Sequence, residues 1–554
     1  MNLPEERRNR VWLDLLAIFG AAVLITLPVF LFGVPRGNDL PQHYQFAVTF
    51  YENAKEGVFF PSWPAEVNSG FGDVGVRFYP PLSYYVLDFF RTISGNWLYA
   101  SGVTFCFWFF LGGAGVYLWA REWFSSNASL AAATAYIFFP YHANEIYNAF
   151  TYAEFAAAAI LPFSFLFVTR VCNRGKLGNC VGLAVSFAFL ILTNLPLAVI
   201  GSVSLLVYAL ATIQKARLLE TLIRLGGCVA MSLLATSFYW VRIVSELPYL
   251  NHESQRFLSQ AYDFRNNFLW SFFTSSSEAY SERSLIFVDL MLLVTVAMFV
   301  PFAIAKYRSG GARISGVWGL LILGLFFATP LSFPVWSNVD LLQKVQFPWR
   351  WMTIISLAAS ILIASGFDHI KGLFAGRLRP LAIIAFGLLI TGLSFTVAQV
   401  IRPALYLETA DFDSVVNRLS TSQSYDCWWP IWAKKEAFAN TEEVSAGGRN
   451  IEIERWLATE RDIHVSSGAA VKARFATFYY PNWQAEVDHK AMPVSHDDNG
   501  AIVIALPAEP SEVKLYFRET GLVGLAGYVS IVCWLLLGLL GVYLAVSRLR
   551  NKLI

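Results

Sequence analysis

The chain has 554 residues, of which 56% are hydrophobic, 16% aromatic and only 14% charged, and its mean hydropathy is +0.49. No soluble domain of this length has that composition, so it reads as a multi-spanning membrane protein. A net charge of +2 at pH 7 gives no footing for nucleic-acid binding.

A membrane span needs roughly 20 apolar residues. In chain order the hydropathy predicts about twelve, near 11–33, 97–119, 128–143, 154–169, 178–193, 197–213, 222–245, 285–305, 314–329, 351–367, 381–401 and 521–546. The first is too long for a signal-peptide core and carries no clear small-residue cleavage site, so it is expected to stay as an anchor. Lys and Arg gather in the short connections, as at Arg170, Arg174 and Lys176 and at Lys306, Arg308 and Arg313. That asymmetry orients the N-terminus, the C-terminus and these connections to the cytoplasm. The long polar and aromatic segments 34–96, 246–284, 330–350 and 402–520 then fall outside, and any chemistry faces outward. Cys427 is the one cysteine in an outer segment, so no outer disulfide is expected. The sequon Asn127–Ser129 falls inside.

The segment 34–96 is crowded with polar and aromatic residues directly after the first span. Asp39 stands in Asn38-Asp39-Leu40-Pro41-Gln42-His43, close to the lipid boundary. An acid there can serve as a general base or a metal ligand, or it can simply cap a helix that starts at Leu40. His43 would share its side of the first turn, as a second polar group of the site or as a surface histidine. Arg77, beside Tyr79 and Pro80-Pro81, can bind a lipid-linked phosphate or snorkel to headgroups.

The segment 140–154 carries His142, Glu145 and Glu154. The helix dipole accounts for an acid at a helix start. An acid leading into an apolar span is nevertheless costly without a partner or a task. Further on, Arg350 stands between Trp349 and Trp351 at the boundary and allows the same two readings as Arg77. Few charges fall in mid-span, Arg242 and Asp289 being the clearest.

Residues 402–520 change texture. Period-2 alternation recurs at Ile451/Ile453, Val471/Ala473/Phe475, Ile502/Ile504/Leu506 and Val513/Leu515/Phe517, with a turn signal at Asn499-Gly500. This predicts a small β-sandwich-like domain before the last span, with β-rich structure over 411–518. Its first third is less regular and holds Trp428-Trp429-Pro430-Ile431-Trp432, a cluster suited either to a domain core or interfacial anchor or to stacking on a sugar. The expected division is therefore a membrane module over 1–401, the β-rich domain over 402–520, and a final span with its tail over 521–554.

The chain has no Walker A loop, no Gly-x-Ser-x-Gly and no His-Glu-x-x-His. It also lacks an inner polar domain able to hold a nucleotide sugar. An enzyme here must draw on a donor available outside, most simply one carried by a lipid. A transporter of lipid-linked glycan and a non-catalytic assembly protein are the other two classes. The lack of an evident internal repeat weakens the transporter reading.

Several motifs taken together resemble a known family. They are Asp39…His43…Gly57…Pro61-x-Trp63…Gly70-x-Gly72…Phe78-Tyr79-Pro80-Pro81-Leu82, Pro140-Tyr141…Tyr147…Glu154-Phe155…Leu161-Pro162, Phe347-Pro348-Trp349-Arg350 and Phe478-Tyr479-Tyr480-Pro481-x-Trp483. The set resembles bacterial polytopic membrane proteins labelled, misleadingly, as related to 6-pyruvoyl-tetrahydropterin synthase. That family looks like the GT-C superfamily of glycosyltransferases, whose members include oligosaccharyltransferase catalytic subunits. One departure is visible, since the family pattern has an Arg between Tyr147 and Glu154 and this chain has none.

The resemblance implies a bacterial inner-membrane location and a GT-C-like fold. It implies inverting transfer from a polyprenyl-phosphate sugar donor to a glycan, lipid or protein acceptor. Asp39 maps onto the catalytic acid of the first outer loop, with His43 and Glu154 beside it. The expected substrate-binding group is Arg350, Arg77, Tyr79, Glu145, His142 and Trp351. Glu154, with Glu145, is expected to shape the acceptor side or to bind a divalent cation, the one cofactor this reading admits.

Overall fold

The computed structural model describes residues 5–252, 262–270, 314–373, 397–402, 404–407 and 412–553, with a few isolated positions between them. The protein is mainly helical, with a β region before the last helix. Seven helices among the described residues are long and apolar enough to cross a membrane: Arg10–Phe32, Trp97–Ala120, Tyr152–Arg174, Leu195–Thr212, Lys215–Ala235, Pro348–Phe367 and Gly521–Ser547. Burial sorts them into two classes. The helices Trp97–Ala120, Tyr152–Arg174 and Pro348–Phe367 are 72%, 83% and 89% buried and form the centre. The first, fifth and last are 28%, 22% and 17% buried, so their Leu, Val and Ile side chains face outward, as lipid contact requires.

Two expected spans, 128–143 and 222–245, are divided, and two others, 178–193 and 314–329, end close to where they were expected to. Proline lacks an amide hydrogen and starts a helix more readily than it continues one. Hence the segment 128–143 divides into Ser126–Ile137 and Pro140–Tyr147, with Pro140 opening the second piece. For the same reason Ser315–Ala328 is followed at Pro330 by a bend of 82°. The segment 222–245 breaks at Thr236, where the Ser237 hydroxyl lies 2.9 Å from Ser530 Oγ of the last helix. The helix Leu177–Ile191 has only 15 residues and turns back at Asn194, whose side chain accepts from Leu197 N at 2.8 Å. The expected spans near 285–305 and 381–401 lie, for the most part, outside the described residues.

The polar segment 34–96 folds against the helical bundle. Its entry, Val34–Pro35, pairs antiparallel with Tyr406–Leu407. Leu40–Lys55 and Leu82–Ser94 are its main helices. The helix Phe412–Thr421 packs on Leu40–Lys55, and Gln45 Nε2 donates to Leu419 O at 3.1 Å. Asp413 Oδ1 accepts from Trp97 N at 2.8 Å. Thus the chain just after 411 is helical, and its Phe412 and Val416 join the core of the membrane module.

The strands of the β region begin at Val444 and form two further antiparallel sheets. One is four-stranded, in the order Val444–Ser445, Val471–Phe478, Ala501–Leu506, Ser495–His496. The other is five-stranded, in the order Ile451–Trp456, Glu460–Val465, Ser511–Phe517, Trp483–Val487, Lys490–Met492. Alternation puts Ala473, Phe475, Ile502, Ile504, Val513 and Leu515 fully inside. Ile451–Trp456 departs from the expected pattern: it is an edge strand and Ile453 is exposed. Trp63 and Phe71 of the polar segment enter this core, so the β region is built partly on the first loop. None of the six cysteines forms a disulfide.

A buried ion cluster fastens the β region to the helices. Arg77 donates Nε and Nη2 to Glu246 at 2.8 and 2.6 Å, and Nη1 and Nη2 to Glu519 at 3.0 and 2.9 Å. Arg242 donates to Glu519 at 2.7 Å, and Tyr480 OH donates to Glu246 at 2.8 Å. Every edge of the Arg77 fork is therefore committed to carboxylates.

Candidate functional site

Asp39 stands at the N-cap of Leu40–Lys55, but its side chain makes no capping hydrogen bond. Its backbone instead holds the site in register: Asp39 N donates to Ala149 O at 3.2 Å, and His43 N donates to Asp39 O at 3.0 Å. This approach of the two loops requires Gly37. A Cβ there would lie 2.4 Å from Phe150 Cβ and 2.7 Å from Phe150 N.

Asp39 lines a cavity of about 250 Å³. Its wall comes from segments far apart in the chain: Asp39, Gln42, His43, Tyr79, Asn194, Tyr262, Gln346, Arg350 and Trp428, with Phe347 and Cys427 among the rest. Four of the residues expected from the sequence, Asp39, His43, Tyr79 and Arg350, are thus brought together. Tyr79 lies within electrostatic reach of Asp39, Arg350 and Glu154 at once. His43 is buried, and its Nδ1 is 2.7 Å from Tyr84 OH. Burial pushes its pKa down to about 3, so the ring is neutral at pH 7. It can accept or donate one hydrogen bond but carries no charge into the cavity.

Arg350 is oriented from behind. Its Nε donates to Glu154 Oε2 at 2.8 Å and its Nη1 to Val345 O at 2.6 Å. The guanidinium lies 4.8 Å from the centre of the Phe347 ring, which in turn stacks on Trp349 at 4.9 Å. Among the described residues Nη2 has no hydrogen-bond partner, and Arg350 lines the cavity. Gln346, four residues earlier, also lines it and holds φ at +68°, a strained value for a residue with a Cβ.

The remaining expected residues sit elsewhere. Glu154 is buried behind the wall with both oxygens used, Oε2 by Arg350 and Oε1 by Tyr141 OH at 2.8 Å. It does not line the cavity. Arg350 is the cation beside Glu154. His142 and Glu145 form a second buried unit: Nδ1 is 2.8 Å from Glu145 Oε2, and Nε2 is 3.1 Å from Ser356 Oγ. Burial, then the charge of Glu154, raises the Glu145 pKa well above the usual carboxylate range. Trp351 is fully buried and stacks on Phe327 at 4.6 Å, away from the cavity. Arg77 is also absent from the wall, its fork being filled by Glu246 and Glu519. The cavity wall thus includes four of the nine expected residues.

Among the described residues no group of three His, Cys, Asp or Glu side chains converges to hold a metal ion. Of the expected ligands, Glu154 has both oxygens bonded, while Glu145 is bonded to His142 through Oε2 and keeps Oε1 buried without a partner.

The sequence did not single out Gln42, Asn194 or Gln346 as site residues, and named Trp428 only within the Trp cluster. Gln42 carried a usable signal, lying one helical turn from Asp39 in the same motif. Trp428 belongs to the Trp cluster that had two readings, and the structure divides them. Trp428 lines the cavity, whereas Trp429 is buried in the β core.

Residues 76–400, more than half of the chain, match the model of the family described as 6-pyruvoyl-tetrahydropterin synthase related domain; membrane protein. A curated protein of Lactococcus lactis subsp. cremoris (strain MG1363), described as uncharacterized, is 22% identical over 345 residues, or 59% of this chain. The match spans about half of that protein's length, 53%. Among solved structures the chain is similar to ArnT from Cupriavidus metallidurans, with 15% identity, a TM-score of 0.44 and coverage of 68% of this chain and 62% of that one. It is also similar to an oligosaccharyltransferase from Archaeoglobus fulgidus, with 11% identity, a TM-score of 0.41 and coverage of 72% and 57%. The arabinosyltransferase EmbB from Mycobacterium smegmatis gives 10% identity, a TM-score of 0.35 and coverage of 94% and 64%. The extent of the family match decides the assignment, and the chain belongs to the 6-pyruvoyl-tetrahydropterin synthase related family of membrane proteins.

Proposed function

We propose that the protein is a membrane glycosyltransferase that moves a sugar from a polyprenyl-phosphate donor to an acceptor hydroxyl on the outer face of a bacterial inner membrane. The observation that carries this reading is the meeting of Asp39 and Arg350 in one cavity, a carboxylate and a cation from segments about 300 residues apart. Asp39 removes the proton from the acceptor hydroxyl as its oxygen attacks the anomeric carbon. The bond from that carbon to the phosphate oxygen breaks, and its electron pair leaves with the lipid phosphate, inverting the centre. Arg350 Nη2, directed by Glu154, Val345 O and Phe347, meets the charge that grows on the phosphate. Glu154 thereby acts as a positioning residue rather than as a base. Tyr79 and Trp428 supply flat apolar faces for a sugar ring.

The outward orientation rests on the Lys and Arg distribution. The transporter reading calls for buried ion pairs and Gly- or Pro-broken spans in matched halves, and the sequence carries no evident internal repeat to supply such halves. The direct test is a density map of the protein with polyprenyl phosphate added. Phosphate density beside Arg350 is the expected result; phosphate bound only elsewhere on the bundle refutes the assignment.

A further inference from the structure

Gln42 takes no part in the chemistry proposed above, and its surroundings are unusual. It is 7% exposed, it lines the cavity, and both Nε2 and Oε1 are buried without a hydrogen-bond partner. A buried amide left unpaired is costly, so such a group calls for a reason. The ordinary structural use of glutamine three residues after an N-cap is to reach back to the N-cap amide. Here Ala149 O already takes the Asp39 N–H, and Gln42 Oε1 stays unpaired. The helix therefore gives Gln42 no task.

We propose that Gln42 binds a hydroxyl of the transferred sugar and selects a neutral, hydroxyl-bearing sugar. This deepens the transferase reading and rests on it. The chemistry of the amide sets the class. A hydroxyl donates and accepts together, and so satisfies Oε1 and Nε2 at once. A carboxylate on the sugar serves Nε2 alone, and an ammonium serves Oε1 alone. Each leaves one amide atom buried and unpaired, and a site built on hydrogen bonds rejects such partners strongly. The neighbours fit the same ligand. Tyr79 and Trp428 line the cavity as aromatic faces, the His43 ring is neutral, and Arg350 marks the phosphate end.

The test compares the full-length protein and Gln42→Leu in nanodiscs, titrated with bare undecaprenyl phosphate and with undecaprenyl phosphate carrying a hexose, without acceptor. Wild type should bind the hexose-bearing lipid more tightly than the bare one. Gln42→Leu should weaken the hexose-bearing lipid by about tenfold or more, the scale of one hydrogen bond lost in a closed site. Bare lipid should bind the variant as it binds wild type. The variant's unfolding temperature should equal or exceed that of wild type, because an unpaired amide is replaced by an apolar group of similar size. If Gln42→Leu fails to fold, Gln42→Asn withdraws the amide by one methylene and gives the same comparison. Equal losses for both lipids, or no loss for the hexose-bearing one, overturn the assignment while leaving the transferase reading standing. Failure of wild type to bind either lipid overturns both.

Discussion

Asp39 shows how one residue type can support two readings that only geometry separates. Its position is that of a helix cap, as the sequence allowed, but its carboxylate does not cap and the residue lines a cavity with Arg350. Arg350 and Arg77 looked equivalent in sequence, each an arginine among aromatics near a boundary. Their partners distinguish them. Glu246 and Glu519 fill the Arg77 fork, while Glu154, 196 positions away from Arg350, takes only its Nε. Such long-range partners leave no local trace, so the pairing was not legible. Arg350→Lys should keep the charge but lose the directed Nη2, raising the donor KM about tenfold with little change in unfolding temperature. Donor titration of purified enzyme checks this, and an unchanged KM removes Arg350 from the phosphate site.

At the scale of elements, continuous apolar runs were readable, and the seven long helices among the described residues correspond to expected spans. The interruptions at Pro140 and Thr236 were not read, because hydropathy averages over a single break, whereas the end of Ser315–Ala328 before Pro330 falls where the expected span 314–329 stops. Alternation located the sheets but overstated Ile451–Trp456, where an edge position leaves Ile453 in the open. The contact of the Asp39 loop with Ala149 and Phe150 joins two elements that the sequence treats separately. Gly37→Ala introduces a Cβ into Phe150 backbone and side chain. It should destabilise the protein by about 1–3 kcal/mol and lower transfer as Asp39 shifts. Thermal unfolding and turnover, measured on the same preparation, should fall together.

For the whole molecule, the first polar loop, the helices and the β region form a continuous structure, clamped by Arg77, Arg242, Glu246 and Glu519. Burial alone raises the Glu519 pKa, but Arg77 and Arg242 outweigh it and hold it at about 2, against an ordinary value of 4.5. A depressed carboxylate stabilises the fold fully above its unfolded pKa. That contribution should disappear as pH falls from about 4.5 to about 2. Thermal unfolding across this window should show the loss, and Glu519→Gln should flatten it. The orientation is a separate proposal at this scale. A cysteine introduced at Lys176 should resist a membrane-impermeant thiol reagent added to whole cells, and labelling there would invert the topology.

The role of Asp39 as the base of a sugar transfer is tested by the turnover of Asp39→Asn, with donor binding measured alongside. Asn caps a helix about as well as Asp but cannot take a proton. Transfer should fall by about 10²–10⁴-fold with donor affinity retained. Near-normal turnover by Asp39→Asn would contradict it.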